Sequence, residues 1–455
     1  MRKNLFTSLL LVVLVSACGD NPAAPVDGRA ADAQAADETY ITWEELLVDD
    51  PGLSKIPIRG AGRMRAADLN QDGHVDVLSA HRDSSHVRVA WGTGLAFDWA
   101  RHSLAEGDLA PGAEDVLVAD FSGDGWLDAA VACEGHILYL ENPAQSSPGF
   151  VWAKTVLEAS RQDGAWIRLS SGDLDGDGRP ELVATADDGN AVAIFRSGEA
   201  PLDGAAWTRE AVHVSGVVNA QAADLDGDGD PDLLASPAEG PPTILRNDEG
   251  VWTQVAFTTD GDRSNARVVE FFDFSGDGRL DFAAPLGDGR IAWFEQPASA
   301  DGSWKMHEIG SFGPDVIGGL AVGDVDGDDR PDLIAGSVSA AASKADEPGH
   351  DVDDPSGRVA WFRNAGEGDA GEGDAGEGGW SRHDVFRRQR GAFVGLAAAD
   401  VDGDGAADLL ATRGGSGGLD GVFVLQQVRE SVPMRRLVAV RRPDSRSLPV
   451  PTAQQ

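Results

Sequence analysis

Cysteine is nearly missing from this sequence: Cys18 and Cys133 are the only two among 455 residues. A disulfide framework is thereby excluded, and whatever holds the chain together must be of another kind. Basic residues are also scarce, 37 Lys and Arg against 76 Asp and Glu, which leaves a formal net charge of -39. Nucleic-acid phosphates require a basic surface, so this balance excludes nucleic acid as a partner and disfavours anionic lipid head groups. Long apolar runs are absent as well. The strongest, Leu5 to Val15, has eleven residues and is broken by Thr7 and Ser8, whereas a bilayer-spanning helix needs about 20. No His-Glu-x-x-His and no phosphate-binding loop occurs, and the nine histidines are scattered along the chain. Metalloprotease and nucleotide-hydrolase chemistry therefore find no support.

What is there is 57 Gly and 23 Pro among 42% hydrophobic residues, a composition that suits many short strands joined by tight turns. The acids are not scattered. They recur in the nine-residue pattern Asp-x-Asp-x-Asp-Gly-x-x-Asp, with substitutions, beginning at Asp68, Asp120, Asp173, Asp224, Asp273, Asp324 and Asp400. Successive starts are 52, 53, 51, 49, 51 and 76 residues apart, so only the last interval is stretched. Each loop is preceded by a short β-like run, such as that from Asp115, and followed by another, such as that from Asp232. A third run follows in register, from Val87, Ile137, Val192, Thr243, Ile291, Val359 and Val422. A fourth is marked by Trp99, Trp152, Trp207, Trp252, Trp304 and Trp380. About four short strands per period make one propeller blade. The sequence therefore predicts an all-β, seven-bladed β-propeller with about four antiparallel strands and one calcium-binding loop in each blade. The repeated Trp positions are expected to fill the space between outer strands. Two strand-like pieces are left over, from Ile41 and from Met434, and one is expected to complete the first blade and close the ring.

Carboxylates at alternate positions of a tight turn converge on one point, and Gly permits the positive φ that bends the loop around it. Side chains at the first, third, fifth and ninth positions with the seventh backbone carbonyl offer hard oxygen ligands suited to calcium at about 2.3 to 2.6 Å. An EF-hand would need a bidentate Glu at position twelve between two helices, and the β-like flanks point elsewhere. The loops from Asp173, Asp224, Asp324 and Asp400 carry four acids each: Asp173, Asp175, Asp177 and Glu181; Asp224, Asp226, Asp228 and Asp232; Asp324, Asp326, Asp328 and Asp332; Asp400, Asp402, Asp404 and Asp408. The other three have a neutral third residue: Asp68, Asn70, Asp72 and Asp76; Asp120, Ser122, Asp124 and Asp128; Asp273, Ser275, Asp277 and Asp281. Weaker binding is expected there. Asp329 replaces the Gly of the loop from Asp324, which makes that loop's geometry the most doubtful and its site the one expected to stand empty. Up to seven structural calcium ions are expected in place of the absent disulfides.

These loops and flanks resemble the FG-GAP and VCBS-type repeats of integrin α-subunit propellers and many bacterial surface proteins, over residues 41–441. The resemblance implies that each metal loop joins the innermost strand to the second on one face of the disc, and that ligands use the opposite face. Candidate ligand residues there are His81, Arg82 and His136 in the turns, and Arg63, Asp115, Arg168, Asn219 and Arg267 around the axial mouth. The long insertion 337–357, with Asp346, His350 and Asp351, is a candidate flap. The insertion 365–379 repeats a GEGDA-like unit and reads as an acidic low-complexity tongue.

At the N-terminus, Arg2 and Lys3 precede the apolar run, which ends Val15-Ser16-Ala17-Cys18. This resembles the lipobox of bacterial lipoproteins and implies cleavage before a lipidated Cys18, with Gly19 favouring the outer membrane. The expected organisation is a signal peptide over 1–17, the lipidated Cys and a flexible tether over 18–40, the propeller over 41–441 and a disordered tail over 442–455. The expected function is a non-enzymatic, calcium-stabilised module binding a protein or glycan at the cell surface, touching the membrane only through its anchor. The alternatives are a carbohydrate-active enzyme using His81, His136 and Arg82, and an envelope assembly factor.

Overall fold

Each period of the repeat folds into one antiparallel four-stranded sheet, and seven such sheets are present. This computed structural model describes residues 38–432 apart from 148–150, 162–163, 262–265, 314, 339–356, 367–378, 389–390 and 416–419. Ile41–Arg429 form the unit that contains the blades. In the first blade the strands run Ala61–Ala67, Asp76–His81, His86–Gly92 and Trp99–Glu106, paired in that order. The acid loop spans the first two, and its ninth residue pairs with the residue just before its first: Ala67 with Asp76, Ala119 with Asp128, Gly172 with Glu181. The same register holds for Ala223 with Asp232, Phe272 with Asp281, Gly323 with Asp332 and Ala399 with Asp408.

The core lies between blades. Alternating residues of a strand point to opposite faces, so every sheet offers one apolar face to the blade before it and one to the blade after. Seven buried clusters result, one for each neighbouring pair. Leu78 and Val89 meet Val116 and Val131 between the first and second blades. Met64 and Val77 meet Leu410 and Val424 between the first and the last, so the ring is closed. Trp99, Trp152, Trp207, Trp304 and Trp380 are all buried, as core packing requires, while Trp252 is half-buried on the outer strand Val251–Ala256 of the fourth blade.

Closure differs from the expectation in one respect. The N-terminal strand Glu38–Asp49 completes the seventh blade, beside Gly421–Val432, and not the first. The reason is arithmetical: the first blade already has four strands of its own, whereas only Leu396–Ala399, Asp408–Arg413 and Gly421–Val432 supply the last from the C-terminal side. The piece from Met434 lies outside the described residues. A buried ion pair fastens the junction: Arg88 Nε donates to Asp49 Oδ2 at 2.9 Å, with Arg88 also donating to Ser54 and Ser103. Cys133 is buried, and burial pushes its thiol up to about 12, so it is held as an inert core thiol. Among the described residues no helix is long and apolar enough to cross a membrane.

Candidate metal loops and the opposite mouth

In each loop the first Asp organises the turn before any ion is considered. Asp120 Oδ1 accepts from the amides of Gly123 and Asp124 at 2.7 and 3.1 Å, and Oδ2 from Gly125 at 2.8 Å. The loops from Asp273, Asp324 and Asp400 repeat these bonds. The turn needs positive φ at its fourth and sixth residues, as at Gly123 (76°) and Gly125 (89°). Two non-glycine residues adopt it: Gln71 at 54° and Asp329 at 63°. Asp329 therefore does not spoil its loop. Its amide donates to Asp324 Oδ2 at 2.9 Å, as the Gly amide does elsewhere, and the doubt attached to this loop's geometry is corrected.

The ninth acid is a buried anchor. Asp232 Oδ1 accepts from Asn247 N at 2.8 Å and Oδ2 from Leu225 N at 3.2 Å; Asp332 and Asp408 do the same with their own strands. Burial pushes Asp76, Glu181, Asp232 and Asp332 up to about 7 and Asp128 and Asp408 up to about 6, against the lowering effect of these amide bonds. Asp281 is raised for the same reason.

Among the described residues, four groups of three acids bring one carboxylate oxygen each within 4.8 Å of one another: Asp173, Asp175 and Glu181; Asp224, Asp226 and Asp232; Asp324, Asp326 and Asp332; Asp400, Asp402 and Asp404. These are the four loops with a carboxylate at the third position. Two oxygens in them, Asp173 Oδ1 and Asp326 Oδ1, are buried with no hydrogen-bond partner among the described residues, which is costly unless a cation completes them. All-oxygen, carboxylate-rich clusters of this kind are compatible with a hard divalent cation.

Residues that the motif alone does not mark complete the loops. The third strand delivers Arg196 to Asp175 at 3.3 Å and Arg246 to Asp226 at 2.9 Å; Arg363 pairs with Asp326 and Gln426 with Asp402. One residue further on, Asn142 Nδ2 donates to Leu69 O at 2.8 Å, Asn247 Nδ2 to Leu174 O at 2.8 Å and Gln427 Nε2 to Val325 O at 2.8 Å. Each of these amides ties its blade to the acid loop of the preceding one. Their signal was the repeated Asn or Gln closing the third run of the period.

At the other end of the strands the candidate ligand residues divide. His81 is fully buried, beside Ser79 Oγ at 3.1 Å, and burial together with Arg88 pulls it down to about 3, so it is neutral. His136 is 7% exposed, with Nε2 3.1 Å from Leu109 O. Asp115 and Asn219 are buried too, and both Asp115 oxygens are taken by the amides of Val116 (2.9 Å) and Leu169 (3.0 Å). The structure places these four in the interior, because polar groups that open an inner strand satisfy the neighbouring backbone first. Arg82 and Arg267 are exposed, and Arg63 and Arg168 are half-buried at the mouth. Ser337 is buried and accepts from Arg358 N at 3.0 Å, while 339–356 and 367–378, and with them most of both insertions, lie outside the described residues.

Fold and loops together define a seven-bladed, four-strand-per-blade propeller with acid turns on one face. The chain carries FG-GAP-like repeats: that family's model matches residues 68–131, 173–235, 224–284 and 273–335. No curated protein is matched by the sequence. Among solved structures, BBS1N in complex with ARL6DN, soaked with lead, is similar at 14% identity and TM-score 0.47, over 86% of this chain and 98% of that one. A lectin from Agrocybe aegerita, described as recognising non-reducing terminal N-acetylglucosamine, is similar at 17% identity and TM-score 0.46, over 73% and 82%.

Proposed function

We propose that this chain is a calcium-stabilised, non-enzymatic binding module of the cell surface, exported and anchored through Cys18, that holds a protein or glycan ligand on the face away from its acid loops. One observation carries the reading. Every acid loop is at the same end of its blade's inner strand, with its first and ninth carboxylates bonded into the local backbone. Ions seated there staple neighbouring strands and leave the opposite mouth free for recognition. The enzymatic alternative loses its cluster, since His81 and His136 are interior residues. Calcium is the cation of choice because the donors are carboxylate and carbonyl oxygens on a flexible turn.

The test has two arms. The mature chain, loaded with calcium, is screened for binding to a glycan array and to cells, with and without residues 337–357. Ligand-dependent binding supports the module, and its loss on deletion assigns the ligand to the flap. Release of reducing or unsaturated ends from a polysaccharide would instead establish an enzyme.

A further inference from the structure

For a chain of net charge -39 the mouth opposite the acid loops is unusually rich in arginine. Arg63 and Arg65 lie on the inner strand Ala61–Ala67 of the first blade, and Arg168 on the inner strand Trp166–Gly172 of the third. Two of them are engaged. Arg65 Nη2 is 3.7 Å from Asp115 Oδ1, while Arg168 Nη1 is 3.9 Å from Glu114 Oε1 and donates to Ile167 O at 2.6 Å. Arg63 is not: among the described residues it makes no ion pair, and its Nε is buried without an acceptor. A buried donor left unmatched is costly, and more so when it is charged.

Its neighbours cannot supply the missing acceptor. Asp115 has both oxygens committed to backbone amides. Glu114 already serves Arg82 at 3.2 Å and Arg168. Glu270, on the inner strand Glu270–Phe272 of the fifth blade, acts electrostatically on Arg65 and Arg63, but among the described residues it makes no ion pair with either, and burial raises its carboxyl to about 7. Burial first, then Arg168, lowers Arg63 to about 9 in spite of Asp115 and Glu270, so the surroundings remain net unfavourable to its charge. An anion entering the mouth relieves this. With Glu114, Asp115 and Glu270 close by, a doubly charged phosphate or sulfate would be repelled more than a singly charged carboxylate, and a carboxylate also matches the planar guanidinium fork.

We propose that the axial mouth is a carboxylate-binding site, in which Arg63 holds the ligand's two oxygens, Arg168 makes the second contact and Arg65, fixed by Asp115, supplies supporting positive charge. The site deepens the binding-module reading and rests on it. It takes either a uronic acid of a glycan or a small free carboxylic acid, the shared group being one exposed carboxylate.

Titration calorimetry on the calcium-loaded mature chain tests this with sodium glucuronate, sodium succinate, glucose and sodium sulfate as probes. Glucuronate or succinate binds and glucose does not; glucuronate alone assigns the site to a glycan, and both alike assign it to free acids. Arg63→Gln and Arg168→Gln each weaken binding about tenfold or more, and Arg63→Lys recovers part of it. Unchanged melting of the Arg63→Lys and Arg168→Gln chains shows that the loss is not unfolding. Sulfate binding as tightly as carboxylate, no carboxylate binding, or binding indifferent to Arg63 and Arg168 overturns the assignment. Calorimetry silent for every carboxylate while the array or cells still bind the unaltered chain would overturn the carboxylate site and leave the module reading intact; an array and cells both silent for the unaltered chain would remove the module itself.

Discussion

The loops from Asp173, Asp224, Asp324 and Asp400 differ from those at Asp68, Asp120 and Asp273 in more than one carboxylate. Where the third residue is Asp, the end of the third strand carries Arg196, Arg246, Arg363 or Gln426, and each contacts that Asp. Where the third residue is Asn70, Ser122 or Ser275, the corresponding residue is Trp91, Glu141 or Glu295. Glu295 faces away to Lys305 at 3.5 Å and His307 at 2.9 Å. Strand and loop are thus matched, a side-chain donor to each third-position carboxylate. The added carboxylate comes with a donor that offsets its repulsion, and the neutral loop needs none. A cation seated in the loops from Asp173, Asp224 or Asp324 would then not be their sole counter-charge, and the two classes should respond differently to its removal.

The largest effect expected is chelation. If calcium stands about tenfold above the dissociation constant, each filled loop contributes about 1.4 kcal/mol, so four loops contribute about 6 kcal/mol and seven about 10 kcal/mol. Titration should resolve four stronger sites and up to three weaker ones, and a chelator should lower the melting temperature accordingly. Seven equal sites would break the comparison, and a melt indifferent to calcium would remove the metal altogether. The next effect is on pH. In the metal-free chain the ninth acids are raised by burial to about 6 or 7. Their protonated form favours the folded state, so this stability is complete below the ordinary carboxylate pKa near 4 and is lost as pH rises through about 6 to 7. The chelated protein should therefore melt lower at pH 8 than at pH 5. With calcium the trend should reverse, because the ion binds the ionised form and releases protons. Parallel pH trends in the two states would refute the anchor role of these acids.

Much of this was legible without coordinates. A period near 51 residues, a Gly-bent acid turn and alternating apolar runs all report local geometry, and local geometry repeated seven times determines the blade. The split into four-acid and three-acid loops was readable too, since it is a matter of composition at one position. Three things were not. The partnership of Asp49 with Arg88, and with it the blade that Glu38–Asp49 completes, is a contact between residues far apart in sequence. The burial of His81, Asp115, His136 and Asn219 depends on how neighbouring inner strands approach, which no single period states. Asp329 looked disruptive because a side chain at positive φ is usually strained, but Asp is one of the residues that tolerate that region.

Two substitutions sharpen the loop comparison at smaller amplitude. Arg246→Met removes the cation from Asp226, which then faces Asp224 and Asp228 unaided. The pair is partly shielded, with Arg246 20% and Asp226 9% exposed, so the chelated chain should lose about 1 kcal/mol. Calcium and the guanidinium share one carboxylate and so oppose each other's binding; removing the arginine should tighten calcium several-fold at this loop. Weaker binding would show instead that Arg246 orients its Asp for the ion. Asp329→Gly is the smallest change. At φ 63° the Asp side chain holds a conformation that Gly reaches freely, while the amide bond to Asp324 is kept by either residue. The gain from relieved strain and the greater freedom of Gly in the unfolded chain nearly cancel. Melting should shift by no more than about 0.5 kcal/mol equivalent, with the number of strong calcium sites unchanged at four. A new strong site appearing only in Asp329→Gly would mean that the loop from Asp324 is closed to calcium by its own side chain, and would move it into the weaker class.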